Sequence, residues 1–159
     1  KHQTIDGAFG MTMDMFGPVS LRRNDLYLFS LSNINTRLSR LQQGAENQLI
    51  IYGDSIYPWM SHVKSSWKII DDEWKRIQNV KYSKVRIAIE WNYMATSSLY
   101  AYVKKINKLK LLGVGAVAKV YTVATFLRNC HVALYGSETS IYFNVHIPQD
   151  MLERYVNQR

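Results

Sequence analysis

Cysteine occurs once in this chain, at Cys130. A single thiol excludes an intrachain disulfide framework and points to a reducing compartment. Histidine is nearly as scarce: His2, His62, His131 and His146 show no zinc-ligand spacing, which sets a zinc site aside. No uncharged run reaches the length of a membrane span, since the best candidate, Leu111 to Leu127, is interrupted by Lys119. No signal peptide, internal repeat, low-complexity tract or interdomain linker is legible. The chain opens at Lys1 rather than Met, which reads as a fragment or a trimmed product.

What is present is ordinary globular composition. With 159 residues, 47% hydrophobic and 20% charged, the chain fits one domain, residues 1–159, with a core of its own. Its net charge of +8 is unevenly placed: between Ser61 and Lys119 there are 12 Lys and Arg against four acids, and the remainder is neutral. Basic charge concentrated in this way suits a polyphosphate-binding groove. A solvated surface explains the charge equally well.

Hydrophobic periodicity gives an α/β chain. Asp6-Gly7 is a turn signal, and Met11, Met13 and Met15 alternate with Thr12 and Asp14, so the first segment reads as a strand or hairpin broken by Gly17-Pro18. Asp25 is placed to cap a helix with apolar positions Leu31, Ile34, Leu38 and Leu41, ending near Gly44. Leu49 to Tyr52 reads as a buried central strand. Asp71-Asp72-Glu73 opens a short helix. Val85 to Ile106 carries a stripe at Ile87, Trp91, Met94, Ala95 and Tyr102, compatible with one long helix. Further helices are expected over about Gly115 to Leu134 and from Pro148.

Two carboxylates stand out against this background. Asp54 follows Gly53 at the end of the Leu49–Tyr52 strand, where open α/β sheets bind ligands. Glu90 lies in the apolar segment IAIEWNYM, which predicts that it is partly buried and therefore paired, neutralised or metal-bound. Carboxylates are the ligands that Mg2+ and Mn2+ take in oxygen coordination, and two such ions serve phosphodiester cleavage. Each acid has a plainer reading. Asp54 suits a turn aspartate bonded to its own backbone, and Glu90 suits a surface pair with Arg86 one turn away.

Asp25, Ser55 and Arg86 are near-site candidates, with the helix cap favoured for Asp25. Arg22, Arg23, Lys81, Lys84 and Arg86 are candidate phosphate contacts. Trp59, Trp67, Trp74 and Trp91 have the chemistry to stack on bases, though packing is the stronger reading for each. Cys130 and His131 are adjacent in sequence, so they point different ways on a helix and read as core filling rather than a nucleophilic pair.

Taken together, GPVSLRRNDLYLFSLSNIN, YGDSIYPWM and VRIAIEWNYM resemble successive motifs of DDE-superfamily endonuclease domains of the Harbinger-like transposase type. VYTVATFLRNCHVALYG resembles the C-terminal helix of that family. The resemblance runs from about Asp6 to Tyr155. It implies an RNase H-like fold, a mixed central sheet flanked by helices and truncated at its N-terminus. It also implies a two-metal Mg2+ or Mn2+ site, DNA as substrate, a nuclear location and a separate DNA-binding partner protein. Asp54 and Glu90 match the family's second and third catalytic acids. The family's first acid lies upstream of the segment where this chain begins, and neither Asp6 nor Asp14 replaces it. Leu21, Asn24 and Asn92-Tyr93 also depart from the family pattern. These departures carry the alternative expectation, a domesticated or decayed derivative that binds DNA or a protein without cutting.

Overall fold

The Asp6-Gly7 signal marks a real turn. In the computed structural model, which describes residues 1–20, 22–103 and 113–157, strand β1 (Gln3–Asp6) leads through five residues into β2 (Thr12–Phe16). Gly7 N–H donates to the Met11 carbonyl and Gly10 N–H to the Gly7 carbonyl, both at 2.9 Å, and Gly10 takes the left-handed φ of 80° that this turn requires. A connection this short cannot make a parallel crossover, so the two strands form a hairpin. A cis Gly17–Pro18 peptide follows β2.

The helix expected from Asp25 to Gly44 is two helices, α1 (Asp25–Ser32) and α2 (Ile34–Gln42). Its cap is Asn24, whose side chain accepts the Tyr27 N–H at 2.8 Å, while Asp25 is the first helical residue and pairs with Lys1 Nζ at 3.0 Å. Between the two helices Asn33 sits in the left-handed region at φ 50° and resets the helical register. That break explains why Leu31 and Leu41 are exposed while Leu28, Phe29, Ile34 and Leu38 are buried.

Strand β3 (Ile51–Gly53) pairs in parallel with β4 (Val63–Ser65), in the register Ile51↔Val63, Tyr52↔Lys64, Gly53↔Ser65. The expectation of a buried central strand is corrected here: β3 is half-buried and Ile50 is exposed. Each strand bonds to a neighbour near it in sequence, so the described strands pair as two separate two-stranded sheets.

The short helix expected at Asp71-Asp72-Glu73 and the long one from Val85 are a single helix, α3 (Glu73–Leu99), followed by a 3-10 turn at Ala101–Val103. Its buried positions are Ala88, Asn92 and Thr96, one step around from the expected stripe, and Met94 is exposed. Residues 104–106 of the expected helix lie outside the described residues, as do Leu21 and the cluster Lys104, Lys105, Lys108 and Lys110. Helix α4 (Gly113–Tyr135) matches expectation, α5 (Glu138–Tyr142) was not foreseen, and α6 (Met151–Asn157) starts three residues after Pro148. The architecture among the described residues is thus mixed α/β, with six helices and four strands.

These elements gather into two compact units, one of residues 1–3 and 15–87, the other of residues 4–14 and 88–159. The first unit closes on Leu28, Phe29, Ile34, Leu38 and Val63, with the Phe29 ring 5.4 Å from Tyr57 and Tyr52 3.9 Å from Tyr82. The second closes on Met11, Ala88, Ala118, Ala124 and Val132 around a buried polar set that includes Asn92, Thr96, Arg128 and Asn129. No helix among the described residues is long and apolar enough to cross a membrane.

Candidate metal and nucleic-acid site

Asp54 follows β3 directly, in the first unit. The segment after it is a hydrogen-bonded turn, with Tyr57 N–H donating to the Asp54 carbonyl at 2.9 Å. The Ser65 hydroxyl of β4 donates to the Tyr57 carbonyl at 2.9 Å, and Trp59 Nε1–H to the Ser65 carbonyl at 3.0 Å. Buried His62 steadies the other end of the β3–β4 connection. Its Nδ1 lies 2.8 Å from the Leu49 carbonyl, which can only accept, so Nδ1 carries the proton.

Gly53 serves this turn through its small size. It does not take a left-handed φ. Instead, the Tyr57 ring packs where a Cβ would stand, 2.6 Å from that position, so the residue is small because of crowding rather than because the backbone turns sharply.

The Asp54 side chain is 56% exposed, and its Oδ1 accepts the Ser55 N–H at 2.6 Å and lies 3.4 Å from an Arg86 guanidinium nitrogen. The turn role of this aspartate is therefore present. The Arg86 pair expected for Glu90 goes to Asp54 instead. Ser55 takes part through its backbone, and Asp25 is occupied with Lys1 at the start of α1.

Glu90 lies on α3 in the second unit and is exposed, with no ion pair among the described residues. The expectation of a partly buried Glu90 is thereby corrected: the apolar residues flanking it turn to other sides of the helix, and the buried polar residue of this segment is Asn92. Exposed carboxylate oxygens suit Mg2+ or Mn2+ chemically. Among the described residues no group of three or more His, Cys, Asp and Glu is placed to hold a metal ion, so a complete ligand set is not found there.

The candidate phosphate contacts Arg22, Arg23, Lys81 and Lys84 are exposed in the first unit, Arg23 with its guanidinium 4.7 Å from the Tyr27 ring centre. A cavity of about 530 Å³ in the second unit, lined by Ala133, Leu134, His146, Pro148, Leu152 and Glu153 among others, contains none of the candidate residues.

A third carboxylate, Asp6, which the sequence places only in a turn, is engaged inside the second unit. Asp6 Oδ1 accepts from the Thr12 hydroxyl at 2.7 Å and from Asn92 Nδ2 at 3.0 Å, while its buried Oδ2 and the buried Oδ1 of Asn92 have no hydrogen-bond partner among the described residues. Burial pushes the Asp6 carboxyl above the usual carboxylate range, against the opposing pull of the Thr12 and Asn92 hydrogen bonds. Nothing in the Asp-Gly turn motif signals this, because one partner, Thr12, lies across the hairpin and the other, Asn92, lies 86 residues away in α3. Cys130 is half-buried on α4, and the adjacent His131 ring accepts from Arg128 at 3.1 Å, so no Cys–His pair forms.

Compared with protein-family models, curated proteins and solved structures, the chain matches none of them.

Proposed function

We propose that this chain is a DNA-processing domain of the DDE-endonuclease type, with RNase H-like ancestry, in which Asp54 and Glu90 each give a carboxylate to divalent-cation binding. The observation that carries this reading is Asp54 itself: an exposed carboxylate directly after a parallel strand, oriented by the Ser55 N–H and Arg86. Bound Mg2+ or Mn2+ would supply activation of an attacking oxygen and stabilisation of the leaving oxygen of a phosphodiester. The chain's own part is to hold the Asp54 carboxylate on its turn and to meet the DNA backbone through Arg22, Arg23, Lys81 and Lys84. Contacts of that kind position a duplex without reading its sequence.

Mn2+ binding tests the proposal, followed through the paramagnetic signal of the free ion alongside nicking of supercoiled DNA. Asp54→Asn and Glu90→Gln should each weaken Mn2+ binding and lower any nicking by at least about 100-fold, since a lost metal ligand forfeits several kcal/mol of transition-state stabilisation. Wild-type Mn2+ binding in both variants would remove the metal reading.

A second reading, DNA binding without cutting, is favoured by one observation. The Asp54 Oδ1 that a cation would need is already engaged by a guanidinium 3.4 Å away. Duplex binding retained in both variants, with no nicking by the wild type in Mg2+ or Mn2+, would select it.

A further inference from the structure

Three of the four tryptophans gather in the first unit. Trp59 and Trp67 have ring centres 4.3 Å apart, and Trp67 meets Trp74 edge-on at 5.5 Å. The outer two are 41% and 48% exposed, unusual for the largest apolar side chain, and Ile69 and Ile70 beside them are exposed as well.

The rings are fixed in place. Every indole N–H is already satisfied: Trp59 by the Ser65 carbonyl, Trp67 by Gln78 Oε1 at 2.9 Å, Trp74 by Asp72 Oδ2 at 3.2 Å. Asn79 clamps the Trp67 backbone from both sides, accepting its N–H at 2.9 Å and donating to its carbonyl at 3.0 Å. What the cluster offers a partner is therefore π-faces and apolar edges, with no spare donor to read a specific group.

Its charge is cationic. The Lys64 amine lies 4.7 Å from the Trp59 ring centre, and Lys75 lies 5.1 Å from Trp67 and 5.8 Å from Trp74. The neighbouring acids are spent internally, Asp71 on Lys75, Glu73 on Arg76 and Asp72 on the Trp74 N–H. Lys64 and Lys68 have no ion pair among the described residues.

We infer that this cluster is a docking surface for an unpaired DNA strand, whose bases stack on Trp59 and Trp74 while its phosphates meet Lys64 and Lys68. Aromatic faces interleaved with amines are what sequence-tolerant single-strand binding uses. A duplex keeps its base faces stacked internally and cannot use the indoles. An acidic peptide would use the amines and leave the rings idle. In naming the strand as DNA the inference rests on the function proposed above; the stacking itself does not.

Fluorescence anisotropy of a labelled oligo(dT) with the full chain, in EDTA and low salt, provides the test, and the absence of divalent metal keeps it separate from the Mn2+ experiment. Oligo(dT) should bind at least about 10-fold more tightly than an abasic strand of equal length, and Trp59→Ala and Trp74→Ala should each weaken it about 10-fold. Equal binding of the abasic strand to the wild-type protein would overturn the proposal, whatever the variants do. So would full affinity in both variants, equal binding of poly-glutamate, or tighter binding of oligo(rU).

Discussion

Asn129 is 1% exposed, yet it holds strand β2 to α4 by both backbone groups of one residue, accepting the Thr12 N–H at 2.9 Å and donating to the Thr12 carbonyl at 2.8 Å. Its Nδ2 also donates to Tyr155 Oη at 2.9 Å, so one amide serves α6 as well. Asn129→Ala should therefore cost about 2–4 kcal/mol in urea unfolding, because a buried N–H and a buried carbonyl lose their partner together. Asp6, next to this cluster, gives a pH signature. Its carboxyl is raised by burial, so the folded state holds the proton more tightly than the unfolded chain does. The stability it contributes is complete below the unfolded carboxylate value of about 3.9 and is lost as pH rises through the raised folded value. The wild-type protein should thus lose stability relative to Asp6→Asn over that window. Urea midpoints of both proteins on a pH series measure the difference, and a constant offset would show that Asp6 is not held neutral.

At the scale of elements, single residues decide where helices begin and break. Asn24 rather than Asp25 starts α1, because the cap is the residue whose side chain reaches back to an amide two or three positions on. Asn33 separates α1 from α2 at a backbone conformation costing roughly 1–2 kcal/mol for most residues and little for glycine. Asn33→Ala should destabilise by about 1 kcal/mol, whereas Asn33→Gly should stay near the wild type, as read from thermal melts. Both variants lose the Thr36 hydroxyl bond to Asn33, so their difference isolates the backbone. Helix α3 shows the opposite effect: Asp71-Asp72-Glu73 and VRIAIEWNYM look separate in sequence, yet nothing in Arg76 to Lys84 stops a helix, and the turns run on to Leu99.

For the molecule as a whole, charge is the property with the longest reach. The net charge is +8, and Arg22, Arg23, Lys81 and Lys84 are cations exposed in the first unit. If those four meet phosphates, counterion release gives a salt slope of about −3.6, so duplex affinity should fall about 150-fold between roughly 50 and 200 mM salt. A shallow dependence, measured by titrations at several salt concentrations, would show that these side chains are solvated and nothing more. Arg86 is left out of that sum because Asp54 already holds it.

The turn at Asp6-Gly7, the α4 helix and the position of Asp54 after a strand follow from the sequence alone, since each depends on residues within one or two turns of chain. The same holds for the mixed α/β character and the concentration of basic charge. Which face a side chain occupies depended instead on distant partners. Glu90 came out exposed and Asn92 buried because the buried side of α3 is set by Asp6 and Thr12 of the hairpin. Arg86 turned from Glu90 to Asp54, and three tryptophans became one cluster, because tertiary contacts bring together groups that no local pattern relates.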